Sequence, residues 1–311
     1  MRSKYYDVAC VREAIHCPVP SITPQFFKNG DIDWKSTGNM LENCIAGGAK
    51  ALLVTHGDSL LHILTDRETI ELNRFVAQVA GGRAMVIACS KQWNHTEMLE
   101  FARKSKEDGC DLIIPFYPNW CGGLDKDAVV TCMKELGSIM PIMLLSCMMG
   151  GGIPLSVLDK LSADDGLVAM KDDVAQPYGK NILSLIRDKM AYLSGGRAFN
   201  FLDTAAYGAD GYLSVYARMY PKVSNAFWQA YTSGNMSEAI ALVEKYDIAL
   251  FADLIGKNGM DFSAAIQGMY ETAGVGSRWR RFPYSSLTDA QMEKLKAFLQ
   301  ERELTTCRRQ S

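Results

Sequence analysis

An apolar run ends in a lysine at Gly166-Leu-Val-Ala-Met-Lys171, and two aspartates, Asp172 and Asp173, follow it. A fully buried charged lysine is costly, so its place at the end of such a run needs a reason. One reason is an amine whose pKa is lowered by its surroundings, ready to form a Schiff base with a ketone. The other is a rim lysine paired with Asp172 or Asp173. A second stretch with chemical potential is Thr55-His56-Gly57-Asp58-Ser59. Glycine between small polar residues can present backbone N–H groups to an anion such as a substrate carboxylate, although a capped turn has the same spelling. A third is Ser194-Gly195-Gly196, which either lets a ligand approach the backbone closely or simply turns the chain.

Other chemistries are argued against by what is sparse. Four histidines include no pair at ligand spacing on a helix, and the nine cysteines form no Cys-x-x-Cys, so no metal is expected. The cysteines (Cys10, Cys17, Cys44, Cys89, Cys110, Cys121, Cys132, Cys147 and Cys307) are scattered and odd in number. They read as free thiols in a reducing compartment, which points to the cytoplasm. With 33 Lys+Arg against 35 Asp+Glu, the chain lacks the basic field that nucleic acid binding requires. No long uncharged apolar run suggests a membrane span, and Met1–Asp7 lacks the apolar core of a secretory signal. Apolar residues at 48% suffice for a large core.

The elements that must hold these residues alternate along the chain. Short runs rich in Val, Ile, Leu and Met occur at Cys17–Thr23, Ala51–Thr55, Ala84–Ser90, Asp111–Tyr117, Pro141–Cys147, Gly166–Asp172, Met190–Gly195 and Asp210–Val215. Their lack of polar alternation predicts strands buried on both faces. Helical patterns lie between them at Thr65–Val79, His95–Glu107, Asp125–Leu136, Pro154–Leu161 and Asn181–Lys189, the first opening with a capping box at Thr65 and Glu68. Eight strand–helix units fit the roughly 200–250 residues of a closed (β/α)8 TIM barrel. A doubly wound sheet is the rival, but its glycine-rich phosphate turn is missing after the first strand, which runs into Thr23-Pro24-Gln25-Phe26-Phe27. The expected organisation is an α/β barrel over 1–234 with the lysine at its mouth, then a C-terminal extension of three helices over 235–311, at Met236–Ile255, Phe262–Ala273 and Asp289–Glu303.

These features accumulate into a resemblance to the dihydrodipicolinate synthase / N-acetylneuraminate lyase family of class I aldolases, from about Val19 to about Leu299. It is carried by Ile22-Thr23-Pro24, Asn29-Gly30-Asp31-Ile32-Asp33, Leu64-Thr65-Asp66-Arg67-Glu68, Pro115-Phe116-Tyr117, Val168-Ala169-Met170-Lys171, Ser194-Gly195, Gly208-Ala209-Asp210-Gly211-Tyr212-Leu213-Ser214 and Arg281-Phe282-Pro283. The resemblance implies a (β/α)8 barrel in which Lys171 forms a Schiff base with pyruvate or another 2-oxo acid. No cofactor is then needed, because the lysine itself supplies the electron sink. It also implies a homo-oligomer, a dimer or tetramer, with Tyr117 at the position of a family tyrosine that reaches the neighbouring subunit's site. Leu145, Gly195 and Leu213 would line the substrate cleft together with Thr55, His56, Gly57, Asp58 and Ser59.

Three departures change the expected chemistry. Leu145, in Leu144-Leu145-Ser146-Cys147-Met148, stands where the family has its proton-relaying tyrosine, and leucine transfers no proton. Gly150, in Gly150-Gly151-Gly152, falls near the arginine that dihydrodipicolinate synthases use for the aldehyde's carboxylate. The family's Gly-Thr-Thr-Gly-Glu loop aligns with residues 55–60 in two registers, which stay open. A true dihydrodipicolinate synthase is therefore not expected. Strand alternation offers a replacement shuttle, since residues 171 and 173 point the same way and Asp173 would stand beside Lys171. A carboxylate there also raises the lysine's pKa and depletes the free amine. The expected function is a Schiff-base lyase, an aldolase or dehydratase, acting on pyruvate or a sugar-derived 2-oxo acid. The alternative is a degenerate barrel that binds such an acid without turnover, and a weaker third is a phosphate-binding barrel using the glycines near Gly195.

Overall fold

A computed structural model describes residues 3–119, 123–149, 151–174 and 177–304. Cys121, Gly150 and Cys307 lie outside the described residues. The residues cluster into two compact units, Met1–Ile22 with Lys50–Leu213, and Thr23–Ala49 with Ser214–Ser311.

The first unit carries the barrel. Its strands are β1 (Pro18–Pro20), β2 (Ala51–Leu53), β3 (Met85–Gln92), β4 (Leu112–Phe116), β5 (Ile142–Leu145), β6 (Leu167–Asp172), β7 (Ala191–Ser194) and β8 (Gly211–Ser214). All pairings from β2 to β8 are parallel between sequence neighbours, and β1 lies beside β8. A parallel bridge from Ser21 to Leu53 joins β1 to β2 and completes the ring. Every residue of β2, β5, β6, β7 and β8 is buried, which is the two-sided burial expected of strands that lack polar alternation.

The helices of this unit are α1 (Val8–Ile15), α3 (Asp66–Ala80), α4 (His95–Glu107), α5 (Lys126–Ile139), α6 (Leu155–Leu161), α7 (Tyr178–Ile186) and α8 (Arg197–Ala205), with α2 (Trp34–Ala46) belonging to the second unit. The Thr65–Glu68 capping box is present at α3. A second, Asn94 with Glu97, opens α4. At the start of β6, Gly166 lies against Gly137 of α5, so close that a Cβ on Gly166 would sit 2.6 Å from the Gly137 Cα.

The second unit holds α2, α9 (Pro221–Thr232), α10 (Met236–Leu242), α11 (Phe262–Thr272) and α12 (Asp289–Glu301). The single helix expected over Met236–Ile255 becomes α10 followed by two π-helical segments, Val243–Ile248 and Leu250–Lys257. The buried positions there are Val243, Asp247, Leu250 and Leu254. Spacings of three and four residues suit an α-turn and tolerate the wider π-turn, so periodicity could not tell them apart. α9 is absent from the expected elements, although Pro at its first position is a recognised start signal. Gln267 Nε2 donates to Gln25 Oε1 (3.1 Å), Ser277 Oγ to the Phe26 carbonyl (2.7 Å) and Arg281 Nε to the Gly30 carbonyl (2.8 Å). The segment after β1 is therefore built into the same unit as the C-terminal helices, which differs from a simple division at residue 234.

Candidate active site

In a barrel of this kind the strands' C-terminal ends face the site. β6 delivers Lys171 there, with Leu145 of β5 and Leu193 of β7 as its register partners. Lys171 is only 4% exposed. Its ammonium donates to Asp173 Oδ2 and forms an ion pair with it. Two residues further along the chain, Asp173 comes to the same side as the amine. Its backbone N–H donates to Ser146 Oγ (2.9 Å), which ties the end of β6 to the end of β5. Its other carboxylate oxygen lies against Gly195, where a Cβ would collide with it. Gly195 is thus required for the position of Asp173.

The pKa of Lys171 is moved in opposing directions. Burial lowers it, while the charge and hydrogen bond of Asp173 raise it, with Asp58 and Cys147 adding to the rise. The net direction is upward from 10.5, so the lowered pKa expected at this position is not what the resting chain holds. The expected rim pairing has the right partner in Asp173, but the lysine is buried rather than solvated. Cys89, whose thiol burial pushes up to about 12, and Cys147, raised by burial and then by Asp173, both feel the charge of Lys171. Neither belongs to the residues singled out from sequence, where a scattered cysteine in an apolar run leaves no signal.

Asp172 points differently. It accepts from the Tyr192 hydroxyl (2.5 Å) and from the Val174 N–H (3.0 Å). The tyrosine's pKa is raised, by burial first and then by the Asp172 charge.

The 55–59 loop is held largely by its own side chains. Ser59 Oγ accepts from the Thr55 N–H (2.9 Å) and donates to the Ile22 carbonyl. Thr55 Oγ1 accepts from the Asp58 N–H (3.1 Å). Asp58 Oδ2 accepts from Ser21 Oγ (2.6 Å), and its charge is felt at Lys171. Thr55 and Ser59 therefore shape the loop, while Asp58 contributes charge to the amine's surroundings. His56 packs against Phe116, with ring centroids 4.6 Å apart, and its buried Nδ1 has no hydrogen-bond partner among the described residues. Burial, then His62 and Lys91, lower its pKa to about 4, so the ring is neutral at physiological pH. Gly57 is exposed, and Leu60 closes the loop at a φ of 56°, a left-handed conformation that leucine rarely adopts. Leu145 and Leu213 are buried, at 6% and 7% exposure.

Tyr117 belongs to a separate cluster. Its hydroxyl lies 2.8 Å from His95 Nδ1, and His95 Nε2 lies 2.7 Å from Glu135 Oε2. Its pKa is raised by burial first, then by Cys132 and Glu135. Within the chain this hydroxyl is turned toward α4 and α5, and the structure does not bring it together with Lys171. The spelling of the fourth strand's end could not reveal this, since His95 comes from the helix before that strand and Glu135 from the helix after it.

A cavity of about 360 Å³ opens at the ends of β6 and β7 beside α8, with Asp173, Ser194, Gly195, Asn200 and Asp203 in its wall. This acidic wall opposes the phosphate-binding reading of the glycines near Gly195, because a phosphate there would meet like charge. Among the described residues no group of three His, Cys, Asp or Glu side chains is arranged to hold a metal.

The fold agrees with what comparison finds. The dihydrodipicolinate synthetase family profile matches residues 17–302. The chain belongs to this family. One family relative, the 4-hydroxy-tetrahydrodipicolinate synthase of Citrifermentans bemidjiense, is 28% identical over 301 residues, covering 92% of this chain and 98% of that one. The fold is shared with YagE, a prophage protein of the family from E. coli K12 solved in complex with pyruvate, at a TM-score of 0.80 and 18% identity over 93% of this chain and 99% of that one. It is shared also with N-acetylneuraminate lyase from Mycoplasma synoviae, at a TM-score of 0.81 and 15% identity over 94% and 99% of the two chains. Family membership makes this a lyase-type barrel. No helix among the described residues is long and apolar enough to cross a membrane.

Proposed function

We propose that the protein is a Schiff-base lyase, an aldolase or dehydratase, acting on pyruvate or a sugar-derived 2-oxo acid. The observation that carries this reading is the buried Lys171 at the end of β6 with its amine on Asp173. The paired carboxylate fits the proton movements imine formation needs. The lysine's ammonium gives a proton to Asp173, and the neutral amine adds to the ketone carbon. Asp173 then returns that proton to the carbinolamine hydroxyl, which leaves as water and leaves an iminium on Lys171. The iminium accepts the electron pair released when a bond at the adjacent carbon breaks, whether to a proton or, in cleavage, to a neighbouring carbon. Asp173 thus serves as the shuttle that Leu145 cannot be.

The substrate carboxylate is assigned to the 55–59 loop, with Gly57 giving open access and His56 presenting a neutral ring. Leu145, Gly195 and Leu213 line the cleft. Tyr117 is assigned to a partner subunit's site in a dimer or tetramer. A true dihydrodipicolinate synthase is disfavoured by Leu145 and by the glycines at 150–152. The reducing cytoplasm suits the cysteines among the described residues, which are free.

The test is incubation with pyruvate and borohydride followed by peptide mass analysis. A reduced pyruvate adduct is expected on Lys171 and is expected to vanish in Lys171→Ala. The raised lysine pKa and Leu145 favour one competing reading, a barrel that binds a 2-oxo acid without turnover. That reading predicts thermal stabilisation by pyruvate with no adduct and no product, and this outcome would displace the lyase.

A further inference from the structure

Asp173 lies just past the end of β6, where strand pairing no longer fixes the chain, yet its carboxylate sits on the Lys171 amine. The chain there is held from both flanking strands. On one side Ser146, which follows β5 and is fully buried, accepts the Asp173 N–H at 2.9 Å. On the other, Tyr192 of β7 donates its hydroxyl to Asp172 Oδ2 at 2.5 Å. The second Asp172 oxygen accepts from the Val174 N–H (3.0 Å), a side-chain turn that spans position 173. The Asp172 carbonyl accepts from the Gly195 N–H (2.7 Å). Asp172 is 5% exposed and joins no ion pair among the described residues. Burying a carboxylate among neutral donors is costly. What the cost secures is geometry: with its oxygens tied to β7 and to the backbone beyond, Asp172 leaves the chain across 172–174 one course, and that course delivers Asp173 to the amine.

We propose that Tyr192 and Ser146 are positioning residues for the chemistry at Lys171, gripping the 172–174 turn from β7 and β5 so that the Asp173 carboxylate stays on the amine. Their part in a reaction rests on the Schiff-base reading given above; the grip itself rests on the hydrogen bonds. The groups whose charge bears on Lys171 are Asp173, Asp58 of the loop after β2 and Cys147 of the turn after β5, and Cys89 of β3 feels the lysine's charge in return. Neither Tyr192 nor Ser146 is one of them. The Tyr192 hydroxyl is faced by Asp172, by Tyr178 of α7 and by Asp173. Burial first, then the Asp172 charge, hold its pKa well above the usual 10.0, so it stays protonated as the amine titrates. Replacing Tyr192 by Phe or Ser146 by Ala therefore removes no charge from the amine's surroundings. A change in the amine's titration has to come from a charged group that moves, and Asp173 is the one these two residues hold.

The experiment uses the full-length protein with its lysines labelled with carbon-13 at Cε, whose NMR shift follows the charge of the amine. The Lys171 signal is identified by its loss in Lys171→Arg, and no ketone is needed. Tyr192→Phe and Ser146→Ala are each expected to lower the Lys171 midpoint by at least about half a pH unit, which is about threefold more neutral amine at a given pH below it. In an Asp173→Asn background the same replacements are expected to leave the midpoint where Asp173→Asn alone puts it. Borohydride trapping of pyruvate across the same pH series is expected to show the same falls. Ser146→Ala removes a single oxygen and keeps the test available if Tyr192→Phe does not fold. An unmoved NMR midpoint in both variants overturns the inference, and a shift in one alone overturns it for the other residue. Falls of equal size with and without the Asp173 carboxylate overturn it as well, because the two residues would then act on the amine by another route. NMR midpoints that fall as expected while pyruvate adds to Lys171 in no variant, nor in the native chain, leave the grip standing and overturn the Schiff-base reading together with the role in that chemistry.

Discussion

Two influences of opposite sign meet at the Lys171 amine. Burial disfavours the ammonium, whereas Asp173 and, more weakly, Asp58 hold the proton on, and the second influence prevails. A lysine whose folded pKa is raised above its unfolded value adds stability that is fully present below about 10.5, the ordinary value, and lost as pH climbs through the folded one. The same sign governs reactivity: the neutral amine is scarce at pH 7 and becomes common only as the solution turns strongly alkaline. Trapping of pyruvate at Lys171 is accordingly expected to keep rising with pH beyond 10.5 in the native protein. In Asp173→Asn, burial is left as the main influence, and the midpoint of the trapping-versus-pH curve is expected to fall by at least about one pH unit. The measurement is adduct yield by mass spectrometry across a pH series. An unmoved midpoint would show that Asp173 does not hold the proton in solution.

β6 can present Lys171 only if its beginning is anchored as firmly as its end. The anchor is the close approach of α5 to the strand's entry, where Gly166 and Gly137 meet with no side chain between them. A methyl added at Gly166 would meet the Gly137 Cα at 2.6 Å, and backbone cannot yield as a flexible side chain can. Gly166→Ala is expected to destabilise the protein by about 1–3 kcal/mol, the usual range for overpacking. Gly137→Ala, whose new methyl would lie 3.1 Å from the Gly166 Cα, is expected to cost less. Urea midpoints of the two variants, read at constant slope, check the size and the order. This contact also marks where sequence reading stops at the level of elements. The apolar runs and the Thr65 cap were readable because burial and capping leave residue-type signatures. Two glycines that meet across 29 positions leave none.

For the molecule as a whole, the division into units bears on what can be removed. Thr23–Ala49 clusters with Ser214–Ser311. Gln25, Phe26 and Gly30 find hydrogen-bond partners in Gln267, Ser277 and Arg281. A chain ending at residue 234 would take these partners away from the segment after β1. Followed by circular dichroism, the full chain is expected to melt cooperatively and the truncated chain to lose that transition. A truncated chain that melts cooperatively near the full-length temperature would instead establish 1–234 as an independent barrel.

The sequence alone determined the strand–helix alternation, the barrel, the family and the lysine that ends the sixth strand. Each is written in local patterns: runs of apolar residues, caps and motif spelling that survive without knowledge of neighbours. Only the tertiary structure decided the charge state around that lysine, because Asp58 lies more than a hundred positions away and Gly195 must be bare for Asp173 to tuck in. It also turned the Tyr117 hydroxyl to His95, and it set Asp173 both on the amine and in the wall of the cavity beside α8. Pairing, desolvation and enclosed space are properties of what the fold brings together, and no single stretch of chain encodes them.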